Sequence, residues 1–181
     1  LRMVFQDEYI LGFQQAINPE WSYGINATYR VVNRAVEDTR NNKFPGCPGY
    51  SSIPIINPGE SNTLWCESTN GWVTLDSSKN GYIASGSGAL SGYKKPRRTY
   101  KAVEFQLDRA WDDKWAFNAS YLWSKSEGNI EGPVNSDTGY ADTNLVQFYD
   151  HPAVNERYGV LFNDSRHQIK LRGSFKLNEM W

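Results

Sequence analysis

The chain has 181 residues, the size of one domain, and its 19 basic and 20 acidic side chains leave a formal net charge of −1. No basic block stands out, so neither nucleic acid nor an anionic membrane surface is a bulk electrostatic partner. Mean hydropathy is −0.64, and no apolar run approaches the roughly 18 residues of a membrane-spanning helix.

Five segments alternate apolar and polar with period two, and none carries a helical period. The first, expected as a strand near 5–17, puts Tyr9, Leu11, Phe13 and Ile17 on one face. Leu1-Arg2-Met3 runs straight into it with no leader pattern, so the expectation is a chain that starts within a longer protein or after processing. Asn18-Pro19-Glu20 is a tight polar turn. The second strand, near 20–38, sets Trp21, Tyr23, Ile25, Ala27, Tyr29 and Val31 against Ser22, Gly24, Asn26, Thr28 and Arg30.

A long Gly-, Pro-, Ser- and Asn-rich loop near 39–96 follows and holds Cys47 and Cys66, the only cysteines. His151 and His167 are too distant in sequence to complete a thiolate metal site, so the pair reads as a loop-stapling disulfide of an oxidising compartment. The alternative is two unrelated thiols. Trp65, Trp72, Tyr82 and Tyr93 in this loop are candidates for stacking on a ligand or another protein, or for packing around the disulfide.

Strands three and four, near 97–111 and 114–128, flank the acidic turn Asp112-Asp113-Lys114. Val103, Phe105, Leu107, Trp115, Phe117, Ala119, Tyr121 and Trp123 share one face; Glu104, Gln106, Asp108, Asn118 and Ser120 share the other. A second long loop, near 129–164, leads to a fifth strand near 165–178, where Ile169, Leu171, Phe175 and Leu177 oppose Arg166, Gln168, Lys170 and Arg172.

The connections decide between a soluble and a membrane sheet. In an up-and-down meander the two tight turns fall at one end and both long loops at the other, the asymmetry of an outer-membrane barrel. Trp21, Trp111 and Trp115 lie beside the tight turns, where an interfacial aromatic girdle belongs. The fold class expected is all-β: an antiparallel up-and-down meander forming part of a large transmembrane β-barrel, one partial barrel over 1–181 with long extracellular loops. Five strands are too few for closure, since the smallest such barrels use about 8. Open edges in hydrocarbon would leave backbone groups without partners, so further wall strands are expected beside this chain.

The stretches "QDEYILGFQQAI", "RRTYKAVEFQLDRAW", "ASYLWSKSEGNIEG" and "FNDSRHQIK" resemble TonB-dependent outer-membrane receptors of the Oar-like group. That resemblance implies a barrel of about 22 strands with a plugged lumen, located in the bacterial outer membrane. It also implies energy-coupled uptake of a scarce extracellular ligand, and no enzymatic activity or cofactor. The implied partners are outer-membrane lipid, the remaining barrel strands, a plug domain, and TonB through an N-terminal region that this sequence does not contain.

On such a wall Arg166, Lys170 and Arg172 cannot face lipid without a cost of about 2–4 kcal/mol each at mid-depth. They and Glu104 are therefore lumen-facing candidates: the basic side chains either pair with Glu104 or Asp108 on a solvated wall, or meet plug carboxylates and an anionic solute. Two other readings stay open: a secreted, disulfide-stapled β-sandwich that binds carbohydrate through Trp and Tyr, and a pore or adhesin barrel without energy coupling. Lesser motifs carry less. "GSGALSG" lacks the strand and helix of a nucleotide loop, Asp164-Ser165-His167 lacks a nucleophile elbow, and "NSDTGYADTN" lacks the spacing of a calcium loop. The glycosylation patterns at Asn26 and Asn118 lie mid-strand, where a glycan has no room.

Overall fold

Alternating β-branched, aromatic and polar residues favour extended chain, and each long alternating segment forms a strand. The computed structural model describes residues 1–38, 46–47, 55–76, 78, 82–83, 90–91, 94–130 and 158–177. Five long strands dominate: β1 (Phe5–Ala16), β2 (Trp21–Arg34), β9 (Arg98–Arg109), β10 (Trp115–Gly128) and β12 (His167–Phe175). The intervening short strands are β3 (Glu37–Asp38), β4 (Ile55–Ile56), β5 (Ser61–Cys66), β6 (Gly71–Asp76), β7 (Tyr82–Ile83), β8 (Leu90–Ser91) and β11 (Gly159–Val160). No helix occurs among the described residues.

The long strands are sequential neighbours in one sheet, β1-β2-β9-β10, with β12 and β11 both pairing with β10. The β10–β12 register is antiparallel and runs from Trp115↔Phe175 to Trp123↔His167. This is the expected meander, and the sheet is open, with β1 and β12 at its edges.

The chain divides into two compact units. One comprises Glu8–Arg30, Tyr100–Ser126 and Asp164–Trp181; the other comprises Leu1–Asp7, Val31–Thr99 and Glu127–Asn163.

In the first unit both tight turns use one device. Asn18 Oδ1 accepts from the backbone N–H groups of Glu20 and Trp21, each at 2.9 Å. Asp112 Oδ1 likewise accepts from Lys114 at 3.1 Å and Trp115 at 3.0 Å. A side-chain oxygen that folds back on its own turn satisfies donors the ladder cannot reach. The turns lie side by side: Ala110 N–H donates to the Glu20 carbonyl at 2.8 Å, and Lys176 N–H to that of Lys114 at 2.8 Å. Trp21 and Trp115 meet edge to face at 6.0 Å, and Trp111 is exposed.

Among the described residues nothing covers the aromatic face of this unit. Tyr9, Leu11 and Phe13 on β1 are exposed, and Ile169, Leu171 and Phe175 on β12 are 70, 69 and 70% exposed. Phe105 and Tyr121 stack on one another at 6.4 Å and are also exposed, while Leu107 and Phe117 are half-buried. No described element interdigitates with these side chains, as a second sheet of a sandwich would.

Among the described residues the second unit holds a small apolar core. Ala35, Ile56 and Ile130 are buried together, with Leu64 against them. Asn57 is buried beside them and fully used. Its Nδ2 donates to the carbonyls of Arg2 and Ala35 at 2.8 and 2.9 Å, and its Oδ1 accepts from Arg2 N–H at 2.7 Å. Asn62 in turn accepts from Asn57 N–H at 2.7 Å. Gly128 ends β10 where a Cβ would lie 2.5 Å from the Arg97 carbonyl oxygen, so only glycine fits.

The loop expected near 39–96 contains the short strands β4 to β8. β5 and β6 form a hairpin across it, and Cys47 and Cys66 are disulfide-bonded with Cα atoms 5.7 Å apart. "NSDTGYADTN", most of "GSGALSG" and Tyr93 lie outside the described residues.

Candidate functional site

Two surfaces can meet a solute, one in each unit. The polar face of the long strands is the first. Even-numbered positions on β9 and β10 point opposite to the exposed rings, and there the polar side chains bind one another across strands. Asn118 on β10 donates its Nδ2 to Asp108 on β9, and Arg172 on β12 stands directly opposite Asn118. Lys170 stands opposite Ser120, and both Lys170 and Arg172 are exposed. On β1 and β2, Arg30 donates to Glu8 at 2.6 Å and lies 5.6 Å from the centre of the Tyr100 ring. Glu104 is half-buried on β9. The result is a hydrophilic wall with a cationic margin along β12.

Arg166 departs from the expected pairing. It precedes β12, and its guanidinium donates to Asp164 Oδ2 at 2.8 and 3.2 Å instead of reaching Glu104 or Asp108. Burial disfavours the Asp164 carboxylate, but the Ser126 N–H at 2.6 Å and Arg166 outweigh it and hold the carboxyl below the usual range. Arg166 therefore fixes a turn. Ser165 and His167 do not join Asp164: the Ser165 carbonyl accepts from Ser124 Oγ, and His167 Nδ1 meets the Tyr121 hydroxyl at 2.9 Å.

The second surface is the β5–β6 hairpin. Its inner side buries Asn62 and Cys66 and half-buries Leu64, which packs with Val73 against the disulfide. Ser68 on the turn touches Cys66 Sγ at 3.2 Å. Asn70, at φ 49°, closes that turn. The outer side carries Trp65 opposite Trp72 and Thr63 opposite Thr74. The two indoles meet edge to face at 5.4 Å, yet Trp65 is 44% and Trp72 70% exposed. The threonine hydroxyls are 3.4 Å apart one step along the ladder.

Such a pair offers a rigid flat ring with hydrogen-bonding groups beside it, suited to a planar or pyranose-like ligand face. It is not packed around the disulfide, which was the alternative reading for these rings; the disulfide lies on the other side of the hairpin. Tyr82 is in β7, and its side chain lies outside the described residues. Among the described residues no group of His, Cys, Asp and Glu is arranged to hold a metal ion.

One further cluster escaped the sequence reading. Arg109, at the end of β9, is 6% exposed. Its guanidinium lies 3.8 Å from the centre of the Trp115 ring and 5.9 Å from that of Trp21. It donates to Asp112 at 2.6 Å, Glu20 at 3.0 Å and the Trp115 carbonyl at 2.6 Å. Both turns and the Trp21–Trp115 pair are thereby tied to one cation.

A polar wall, an uncovered aromatic face and tight turns gathered at one end agree with the relationship found by sequence. The chain is similar to the TonB-dependent transporter Oar of Myxococcus xanthus. The two are 36% identical over 94 residues, which is 51% of this chain and 9% of that transporter. The match relates this chain to a small part of that transporter's length. No family model matches the chain, and no solved structure matches it.

Proposed function

We propose that the chain is a section of the wall of a TonB-dependent outer-membrane receptor, with the tight turns in the periplasm and the segments between β2 and β9 and between β10 and β12 outside the cell. The observation that carries this reading is the uncovered aromatic face ending in the Trp21–Trp115–Arg109 cluster. From Trp115 to Trp123 the rise is about 27 Å along the strand, or about 21 Å across a bilayer at a tilt of about 40°. That spans most of an apolar band about 25 Å tall. The polar face is then the lumen side, where Lys170 and Arg172 meet plug or solute. The Trp65–Trp72 pair contacts an extracellular ligand, whose uptake is driven through TonB.

Topology and transport are tested separately. An epitope placed at Ser68–Thr69 is expected to be labelled on intact cells, and one placed at Asp113 only after the outer membrane is opened. The reverse pattern would end the orientation proposed. Uptake by the receptor that carries this chain is expected to stop when TonB is deleted; uptake unchanged by that deletion would leave an uncoupled pore. Trp72→Ala is expected to weaken ligand capture by up to about tenfold, within the roughly 0.5–1.5 kcal/mol of an aromatic contact, with the amount of receptor on the surface unchanged.

A further inference from the structure

The aromatic face carries cations beyond Arg109: Lys125 shares its odd parity on β10, and Lys101 shares it on β9, where lipid would be expected to disfavour them. Lys101 is at an odd position of β9, in register with Val103 and Phe105, and its side chain is exposed. Arg30 over the Tyr100 ring places residue 30 of β2 beside residue 100 of β9, so Tyr29 stands beside Lys101 on the other face. Tyr29 stacks on Tyr9 of β1 at 6.3 Å. Lys101 and the two tyrosines thus form one row across three strands. No carboxylate among the described residues forms an ion pair with Lys101.

Under that row lies a shallow furrow of about 450 Å³ lined by Tyr9, Leu11, Ala27, Tyr29, Val103 and Trp123, with Lys101 at its rim. The furrow exists because Ala27 is short where its neighbours are long. Its walls are apolar and its head is an ammonium with two phenols.

Depth matters as much as composition. Lys101 is eight residues before Arg109 on β9. That is about 26 Å along the strand, or about 20 Å along the membrane normal at a tilt of about 40°. Lys101 therefore lies near the far margin of the apolar band, where a lysine costs little because its stem stays in hydrocarbon while its ammonium reaches the headgroups. The anion available at that depth is a lipid phosphate.

We propose that this furrow is a binding site for a phosphorylated, anionic membrane lipid. One acyl chain lies in the furrow over Ala27, and the phosphate is held by the Lys101 ammonium and the Tyr9 and Tyr29 hydroxyls. The inference rests on the outer-membrane wall reading above, and it adds a specific lipid contact to it.

The test uses the complete receptor that carries this chain, purified in detergent and examined by native mass spectrometry. Phosphatidylglycerol and phosphatidylcholine with identical acyl chains are the probes. Retention of phosphatidylglycerol is expected to exceed that of phosphatidylcholine by about fivefold or more, and Lys101→Gln is expected to abolish the preference. Ala27→Phe, which fills the furrow, is expected to lower retention of both lipids. Altered gel mobility on heating shows whether each variant is a folded barrel. Folded variants that keep the wild-type preference would overturn the proposal. Binding of inorganic phosphate that is lost in Lys101→Gln, without lipid retention, would reduce the site to a simple anion contact and overturn it as well. A wild-type protein that needs no detergent and shows no heat-dependent mobility would instead remove the wall reading on which the site depends.

Discussion

Arg109 shows how much one buried side chain can organise. A guanidinium can stack on an indole and still fork to carboxylates, and it is less strongly hydrated than an ammonium, so it suits a site between Trp21 and Trp115. The hydrogen bond from Arg109, reinforced by the N–H groups of Trp115 and Lys114, holds the Asp112 carboxyl well below the ordinary carboxylate range. A carboxyl depressed in the folded state contributes stability that is present above its unfolded value, about 4, and is lost as pH falls toward its folded value. Arg109→Met is therefore expected to lower the urea midpoint of the detergent-solubilised receptor at pH 7. Its loss of stability between about pH 5 and pH 3 is expected to be shallower than in the wild type. Arg109→Lys is expected to rescue little, because lysine cannot both stack and fork. Parallel pH curves for wild type and Arg109→Met would remove the Arg109–Asp112 pair as a source of acid sensitivity.

At the scale of elements, the β5–β6 hairpin depends on a covalent tie. Its buried side is small, so the Cys47–Cys66 bond, closing a sequence separation of 19 residues, supplies much of its order. Reduction, or Cys66→Ser, is expected to cost about 3 kcal/mol in the chain-entropy model. Amide exchange over 61–76 is expected to accelerate while exchange over 115–123 stays unchanged; equal acceleration in both would contradict a local staple. Strand β12 offers the complementary test, because adjacent residues there face opposite media. Leu171→Arg is expected to destabilise insertion into vesicles by about 2–4 kcal/mol, whereas Lys170→Leu on the polar face is expected to be nearly neutral. Equal effects of the two substitutions would mean that β12 does not separate lipid from lumen.

The whole molecule is governed by what the sheet lacks. Among the described residues its long strands end at β1 and β12, each with an unpaired edge, and its aromatic face has no covering layer. An unpaired edge in hydrocarbon costs several kcal/mol per backbone group, and an uncovered apolar face in water drives association. Produced alone without detergent, residues 1–181 are expected to sediment as oligomers or aggregate, with weak near-UV circular dichroism. A monodisperse monomer that unfolds cooperatively would show that the aromatic faces are buried within the chain, and would favour the secreted binding module instead.

Strand positions, the two faces and the paired tight turns were legible in the sequence, because side-chain alternation and Asn or Asp turn chemistry are local properties of a few consecutive residues. The hairpin at 61–76 was not. It buries Asn62 and exposes Trp65 and Trp72, reversing the polarity that an alternation reading relies on. Lys170 and Arg172 could be assigned to the polar face from parity alone, but Arg166 could not be assigned its partner, since Asp164 reaches it only through a turn. The Arg109 cluster joins Glu20 to a residue 89 positions away. Lys101 gains its tyrosine row only when β1, β2 and β9 lie side by side. These pairings are set by register between distant strands, which local periodicity does not encode, so only the assembled sheet decided them.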